Sequence, residues 1–263
     1  MSASALATPF KREISREWTQ DRFEKLAFAV SSADVEITGW DNPSVQLIVT
    51  MSVDASNQEK ADRAFESVVL DLKENESLKV KVEEKRSGWS WLMFWKNRPD
   101  VSVQIFAPDN VPLEVATGSG DIVLDNVNTK VSCATGSGDI VSNGFSGSFS
   151  AATGAGDVSF SGNIRQFDVA TGAGDVRITL NQGPDRISSI ATGKGDATVL
   201  LSRSANFSLS AEVGFGDIVC NFPLLDLKED KDSLSGHTHP DAPKIGIATG
   251  FGDVSISQLD WQE

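Results

Sequence analysis

The sequence predicts an all-β protein, a single-stranded parallel β-solenoid, and three observations carry that prediction. The first is a turn motif. "ATGSGDIVL" begins at Ala116, and near-copies begin at Ala134, Ala152, Ala170 and Ala191. Aligning the Gly-Asp dipeptides puts aspartate at 121, 139, 157 and 175 in steps of 18, at 196 and 217 in steps of 21, and at 253 after a step of 36. Fixed-period similarity of this kind marks repeats that bury their apolar faces against one another. The second observation is alternation. Ile122 and Leu124 follow the turn, and Val131 and Cys133 lead into the next one. Period two belongs to strands, so each unit reads as two short strands and two corners, one coil of the solenoid. The third is that the columns stay largely apolar: Ile122, Ile140, Val158, Val176, Ala197, Ile218 and Val254 occupy one position, and Val115, Cys133, Ala151, Val169, Ile190, Ala211 and Ile247 another. Coils of this type stack about 4.8 Å apart. Parallel β crossovers are right-handed, so a right-handed solenoid of about seven coils, about 18 residues each, is expected.

Four segments follow in order. Residues 1–20 are an N-terminal extension. Residues 21–112 begin with "LAFAVSSADVEI", a worn coil that aligns Leu26, Phe28, Asp34 and Val35 with Leu113, Val115, Asp121 and Ile122. "VQLIVTMSV" then reads as a strand. "SNQEKADRAFESVVLDLKE" carries Ala61, Ala64, Phe65, Val68, Val69 and Leu72 at helical spacing, with Ser56 as N-cap. "LKVKVEE" and "VSVQIFAP" complete a strand–helix–strand elaboration, whose helix would cap the solenoid's edge. Residues 113–258 are the tandem repeat. Its corners "NQGPDR" and "SRSAN" absorb the longer steps, and the polar insertion 222–244 precedes a final "GIATGFGDVSI". Residues 259–263 are a tail.

In this order of parts, from the SADVEI coil through "VSVQIFAPDNVPLEVATGSGDI" and the TGxGDI/V coils to a late "FP" segment, the chain resembles a bacterial family. It is the "putative adhesin" domain family of unknown function, described by its toast-rack stack of strands. The resemblance spans roughly residues 20–258 and implies this fold and a non-enzymatic role at the cell envelope. Members often carry a signal peptide, lipid anchor or membrane span. Here "MSASALATPFKREISREW" lacks the apolar core of a signal peptide, and no apolar run approaches the roughly 20 residues of a membrane-spanning helix. The expected location is the envelope or outside the cell where a leader has been removed, and otherwise the cytoplasm or the membrane periphery.

Charge excludes one partner class. With 37 acidic against 23 basic residues the chain carries −14, which repels nucleic-acid phosphates. The recurring aspartates Asp121, Asp139, Asp157, Asp175, Asp196, Asp217 and Asp253 have a structural reading. Gly118 and Gly120, with their copies, permit positive φ at the corner, and the carboxylate accepts backbone N–H groups there in the manner of an Asx turn. The alternative is a calcium-stabilised β-roll, because a file of carboxylates repels itself unless neutralised. The motif differs from the calcium-roll nonapeptide, and the other half-coil has no matching Gly-rich site. Calcium takes 6–8 oxygens, which one aspartate per coil supplies poorly. No cofactor is therefore expected, with Ca²⁺ as the alternative.

The segment "KRSGWSWLMFWKNR" crowds Trp89, Trp91, Leu92, Met93, Phe94 and Trp95 between basic residues, in the loop 86–98. Such a pattern suits a protein or glycan partner at the envelope, self-association, peripheral membrane contact, or a cap folded over the solenoid's end. His237 and His239, with Asp241 nearby, lack a clear further ligand for a metal. Cys133 and Cys220 fall in core columns about five coils apart, on the order of 24 Å, too far for a disulfide. Both are expected as buried, inert thiols. No nucleophile elbow is present and no helix follows the Gly-x-Gly turns to receive a phosphate. The paired carboxylates of the file leave a polysaccharide-active enzyme as a third reading, by analogy of fold. The role expected is a non-catalytic, adhesin-like scaffold.

Overall fold

The computed structural model describes residues 9–19, 22–84, 98–109 and 111–259. The alternating N-terminal segments form β1 (Phe10–Thr19), β2 (Lys25–Val30), β3 (Asp34–Trp40) and β4 (Ser44–Val53), followed by helix α1 (Gln58–Phe65), β5 (Val68–Glu74), β6 (Ser77–Glu84) and β7 (Asp100–Pro108). The repeat supplies β8 (Leu113–Thr117), β9 (Ile122–Asp125), β10 (Lys130–Ser137), β11 (Ile140–Ala155), β12 (Val158–Ala173), β13 (Val176–Leu180) and β14 (Ser188–Lys194). It continues through β15 (Ala197–Leu201), β16 (Ser208–Phe215), β17 (Ile218–Cys220), β18 (Leu225–Glu229), β19 (Ser233–His237), β20 (Lys244–Phe251) and β21 (Val254–Gln258).

Among the described residues the result is all-β with one helix, an open sheet whose coil strands fall into two parallel stacks flanked by antiparallel strands. One stack runs β6, β2, β8, β10, the second halves of β11 and β12, β14, β20, β16. The other runs β7, β3, β9, the first halves of β11 and β12, β13, β15, β21, β17. Residues one repeat apart pair in register: Ile122 with Ile140, Ile140 with Val158, Val158 with Val176. Period-two alternation puts these on one side, and they are fully buried in a single core cluster. The worn coil pairs as its sequence alignment requires, Leu26 with Leu113 and Val35 with Ile122.

The two corners of a coil differ. At the TGxGD corner the chain breaks between strands, whereas β11 and β12 bend continuously through the other one with local register shifts. That bend is filled by Phe145, Phe149, Phe160 and Phe167, whose successive ring centroids lie 5.2, 4.8 and 5.9 Å apart. Ser142, between Leu124 and Phe160 in its column, is the small residue that accommodates them. Its hydroxyl is buried with no hydrogen-bond partner.

Three expectations change. The helix is shorter than its apolar spacing indicated: α1 stops at Phe65, and "VVLDLKE" is strand β5, antiparallel to β6. Its β-branched start and alternating apolar residues satisfy a strand as well as a helix, and the neighbouring strand decides. The N-cap is Asn57, whose side chain accepts from the Lys60 N–H, not Ser56. Coil order also departs from chain order. β20–β21 lies between β14–β15 and β16–β17, so the last coil in sequence is the penultimate one in space. At the other end β2–β3 is likewise flanked on both sides, by β6–β7 and β8–β9.

Candidate functional site

The TGxGD corner is the most chemically dense feature, and its geometry follows from close stacking. The second glycine of each motif adopts positive φ, as at Gly138 (143°), where an added Cβ would lie 2.2 Å from the Gly120 carbonyl oxygen. The first glycine serves differently. Gly136 has no positive φ, but a Cβ there would meet the Gly118 carbonyl oxygen at 2.5 Å. Corners this close leave room only for hydrogen.

The aspartates tie one coil to the next. Asp121 donates its N–H to Asp34 Oδ1 at 3.0 Å, and Asp139, Asp157, Asp175 and Asp196 repeat the bond to the preceding aspartate at 2.7–2.8 Å. The ladder then follows spatial order: Asp253 donates to Asp196 and Asp217 donates to Asp253, both at 2.8 Å. Thus each carboxylate accepts from the neighbouring coil, not from its own turn. The threonines make a parallel ladder, Thr135 Oγ1 donating to the Gly120 carbonyl and Thr153 Oγ1 to that of Gly138, both at 3.1 Å. Asp217 ends the file. No coil follows it, and its carboxylate accepts no backbone N–H among the described residues.

The same end holds a feature that the repeat spacing does not reveal. The central residue of the motif is Ser119, Ser137, Ala155, Ala173 and Lys194 in five coils, but Phe251 and Phe215 in the last two. The coil order places these phenyl rings side by side, centroids 5.0 Å apart and 8° from parallel. Both are exposed, Phe215 by 69% and Phe251 by 54%. The signal was present in "VGFGD" and "TGFGD", although their adjacency depended on the strand order. Val219, Leu225 and Leu227 add exposed apolar surface in the last coil and the insertion.

Other candidates separate. Trp89, Trp91, Leu92, Met93, Phe94 and Trp95 lie outside the described residues. Insertion 222–244 contributes the hairpin β18–β19. His237 Nε2 faces Asp226 Oδ2 at 3.6 Å, whereas His239 Nδ1 accepts from the Asp241 N–H, so the two imidazoles have different partners. Among the described residues no group of three or more His, Cys, Asp and Glu side chains could hold a metal. Both cysteines are free, but only Cys133 is buried. Burial pushes its thiol up to about 12. Cys220 sits half-buried because no further coil covers β17; desolvation raises its pKa and a hydrogen bond with the Phe222 backbone opposes the rise. A polar groove lined by Gln182, Asp185, Ser204 and Asn206 occupies the two widened corners. No described helix is long and apolar enough to cross a membrane.

The sequence profile of the Toastrack DUF4097 family matches residues 23–257. No curated protein matches the chain. Among solved structures, a Clostridium sporogenes protein described as a "putative cell adhesion protein" is 14% identical with a TM-score of 0.44, covering 95% of this chain and 100% of its own. A Bacteroides fragilis "putative adhesin" is 12% identical with a TM-score of 0.47, covering 96% and 100%. A Parabacteroides distasonis "putative lipid binding protein" is 13% identical with a TM-score of 0.40, covering 97% and 98%.

Proposed function

The chain belongs to the Toastrack DUF4097 family, and from that membership and the geometry above we propose that it is a non-catalytic, adhesin-like binding scaffold of the bacterial cell envelope. One observation carries the reading: the repeat's polar side chains are engaged in holding the coils together. From Asp34 to Asp253 each carboxylate receives the next coil's N–H, and each motif threonine bonds to a neighbouring carbonyl. A carboxylate already bound to backbone N–H groups has a partner for its charge without a cation. In this reading the coils are wound right-handed, and contact with a protein or glycan occurs where the repeat is interrupted. Those places are the last two coils and, by its composition, the Trp-rich segment 86–98.

Two measurements test this. Beads coated with the protein are expected to adhere to isolated cell envelopes equally with and without EDTA, while a glycan panel incubated with the protein stays uncleaved. Released oligosaccharide would replace the scaffold with an enzyme, and adhesion lost in EDTA would restore the calcium roll. For the Trp-rich segment, co-sedimentation with anionic liposomes that Trp91→Ala plus Trp95→Ala abolishes is the expected sign of membrane contact. Failure to co-sediment at low salt removes that contact.

A further inference from the structure

The corner of the last coil combines three groups that no interior corner combines. Phe251 and Phe215 stack in the file that continues Lys194, with Lys194 in register beside Phe251. Strand β19 runs beside β16 only as far as the Val213–Asp232 hydrogen bond, so among the described residues Phe215 has Phe251 on one side and no paired strand on the other. Two residues on, the Asp217 carboxylate receives, among the described residues, no N–H such as every earlier aspartate of the file receives. The fold does not require phenylalanine here, since the equivalent corners carry serine, alanine or lysine. Exposed aromatic surface that folding does not demand is the usual mark of an interaction site.

The chemistry around the rings narrows the partner. Asp217 and Asp253 flank them on a chain of charge −14, which disfavours anionic lipid, nucleic acid and the same carboxylate file of a second copy. The stacked pair presents one flat phenyl face at the open end, a platform the size of a single sugar ring. A neutral sugar ring needs only an apolar platform for its C–H face and acceptors for its hydroxyls. Dispersion against a phenyl face and O–H···O⁻ bonds to a carboxylate supply these.

We propose that Phe215, Phe251 and Asp217 form a docking site for a neutral saccharide at the last coil. The proposal rests on the binding-scaffold reading and names the partner's chemistry. The sugar's C–H face lies on the free face of Phe215 and its hydroxyls donate to Asp217, while Phe251 backs the Phe215 ring.

The full chain is titrated with cellohexaose, chitohexaose and maltohexaose by calorimetry, with saturation-transfer NMR reading contact to sugar C–H protons. At least one probe is expected to bind. Phe215→Ala is expected to weaken it by about tenfold or more, whereas Phe215→Trp preserves it and Ile187→Ala, remote and exposed, leaves it unchanged. Unfolding curves of each variant separate lost contact from lost fold. Binding of none of the three probes overturns the saccharide assignment, and binding indifferent to Phe215→Ala plus Phe251→Ala overturns the site. Liposome association abolished by the same double variant would assign the platform to lipid instead. Wild-type and double-variant beads adhering equally to envelopes would remove this site while leaving the scaffold reading intact.

Discussion

The two ends of the stack are made from the same kind of coil and finished in opposite ways. At the N-terminal end the outer coil β6–β7 is extended by antiparallel strands, β5 beside β6 and β4 then β1 beside β7. Helix α1 connects the two sides and buries Ala61 and Phe65. At the C-terminal end β19 and β18 extend only one of the two stacks, and the outer edge of the three-residue β17 is unpaired among the described residues. Among the described residues, the large exposed hydrophobics other than Ile187 lie in the last two coils or the insertion. A solenoid's interior and strand edges continue to its ends, where they must be covered, shortened or put to use. One end here is covered, and the other is shortened and left apolar.

Matched substitutions should separate the ends most sharply. Phe65, the last residue of α1 and 3% exposed, packs with the Arg12 guanidinium 4.9 Å from its ring centroid. Phe65→Ala is expected to cost about 3–5 kcal/mol by urea unfolding, the range for emptying a buried phenylalanine site. Phe215→Ala should cost about 1 kcal/mol or less, because it loses one stacked pair and little buried area. Equal costs would mean that α1 does not close the core.

Within the aspartate ladder the same contrast recurs at smaller scale. Asp157 accepts the Asp175 N–H at 2.7 Å, but Asp217 has no rung to accept. Asp157→Ala should cost about 1 kcal/mol and Asp157→Asn much less, since the amide oxygen keeps the acceptor. Asp217→Ala should stay within about 0.5 kcal/mol. An Asp217 variant as costly as Asp157→Ala would show an unsuspected partner at the open end.

How much of this could be read from the sequence depends on range. The columns were legible because a fixed period aligns Ile122, Ile140 and Val158 without knowledge of the fold, and their pairing follows that alignment. The helix boundary was not, because "VVLDLKE" fits either period and only its pairing with β6 selects the strand. Coil order was hidden for a different reason. A step of 36 between Asp217 and Asp253 reports an insertion, yet says nothing about which side of β16–β17 the returning strand takes. The Phe215–Phe251 stack and the true order of the ladder both depend on that choice.

The middle of the stack supplies a reference that belongs to neither end. Ser142 is 1% exposed and its hydroxyl lacks a partner. Burying an unsatisfied hydroxyl costs about 1–3 kcal/mol. Ser142→Ala keeps the small volume that the phenylalanines need and should raise stability by about 1 kcal/mol. A fall in the unfolding midpoint would indicate that the hydroxyl has a partner in solution.

At neutral pH the thiols have the smallest effect on stability, and they give the finest probe of the contrast. Cys133 lies inside the stack and Cys220 in the terminal coil. An unfolded thiol releases its proton above its ordinary value of 9.0, while folded Cys133 holds its proton to about 12. Between those values the native state binds more protons than the unfolded one, so this contribution to stability is intact below pH 9 and declines as pH rises, by up to about 1.4 kcal/mol per unit. Cys133→Ala costs some packing at neutral pH but lacks that slope, so its stability should converge on the wild type's as pH rises. A difference constant from pH 8 to 10.5 would mean that Cys133 ionises in the folded state. Thiol labelling at pH 8 reads the same geometry directly. Cys220 is expected to react in the native protein and Cys133 only at the rate of unfolding, and native labelling of both would mean that the middle of the stack opens as readily as its uncovered end.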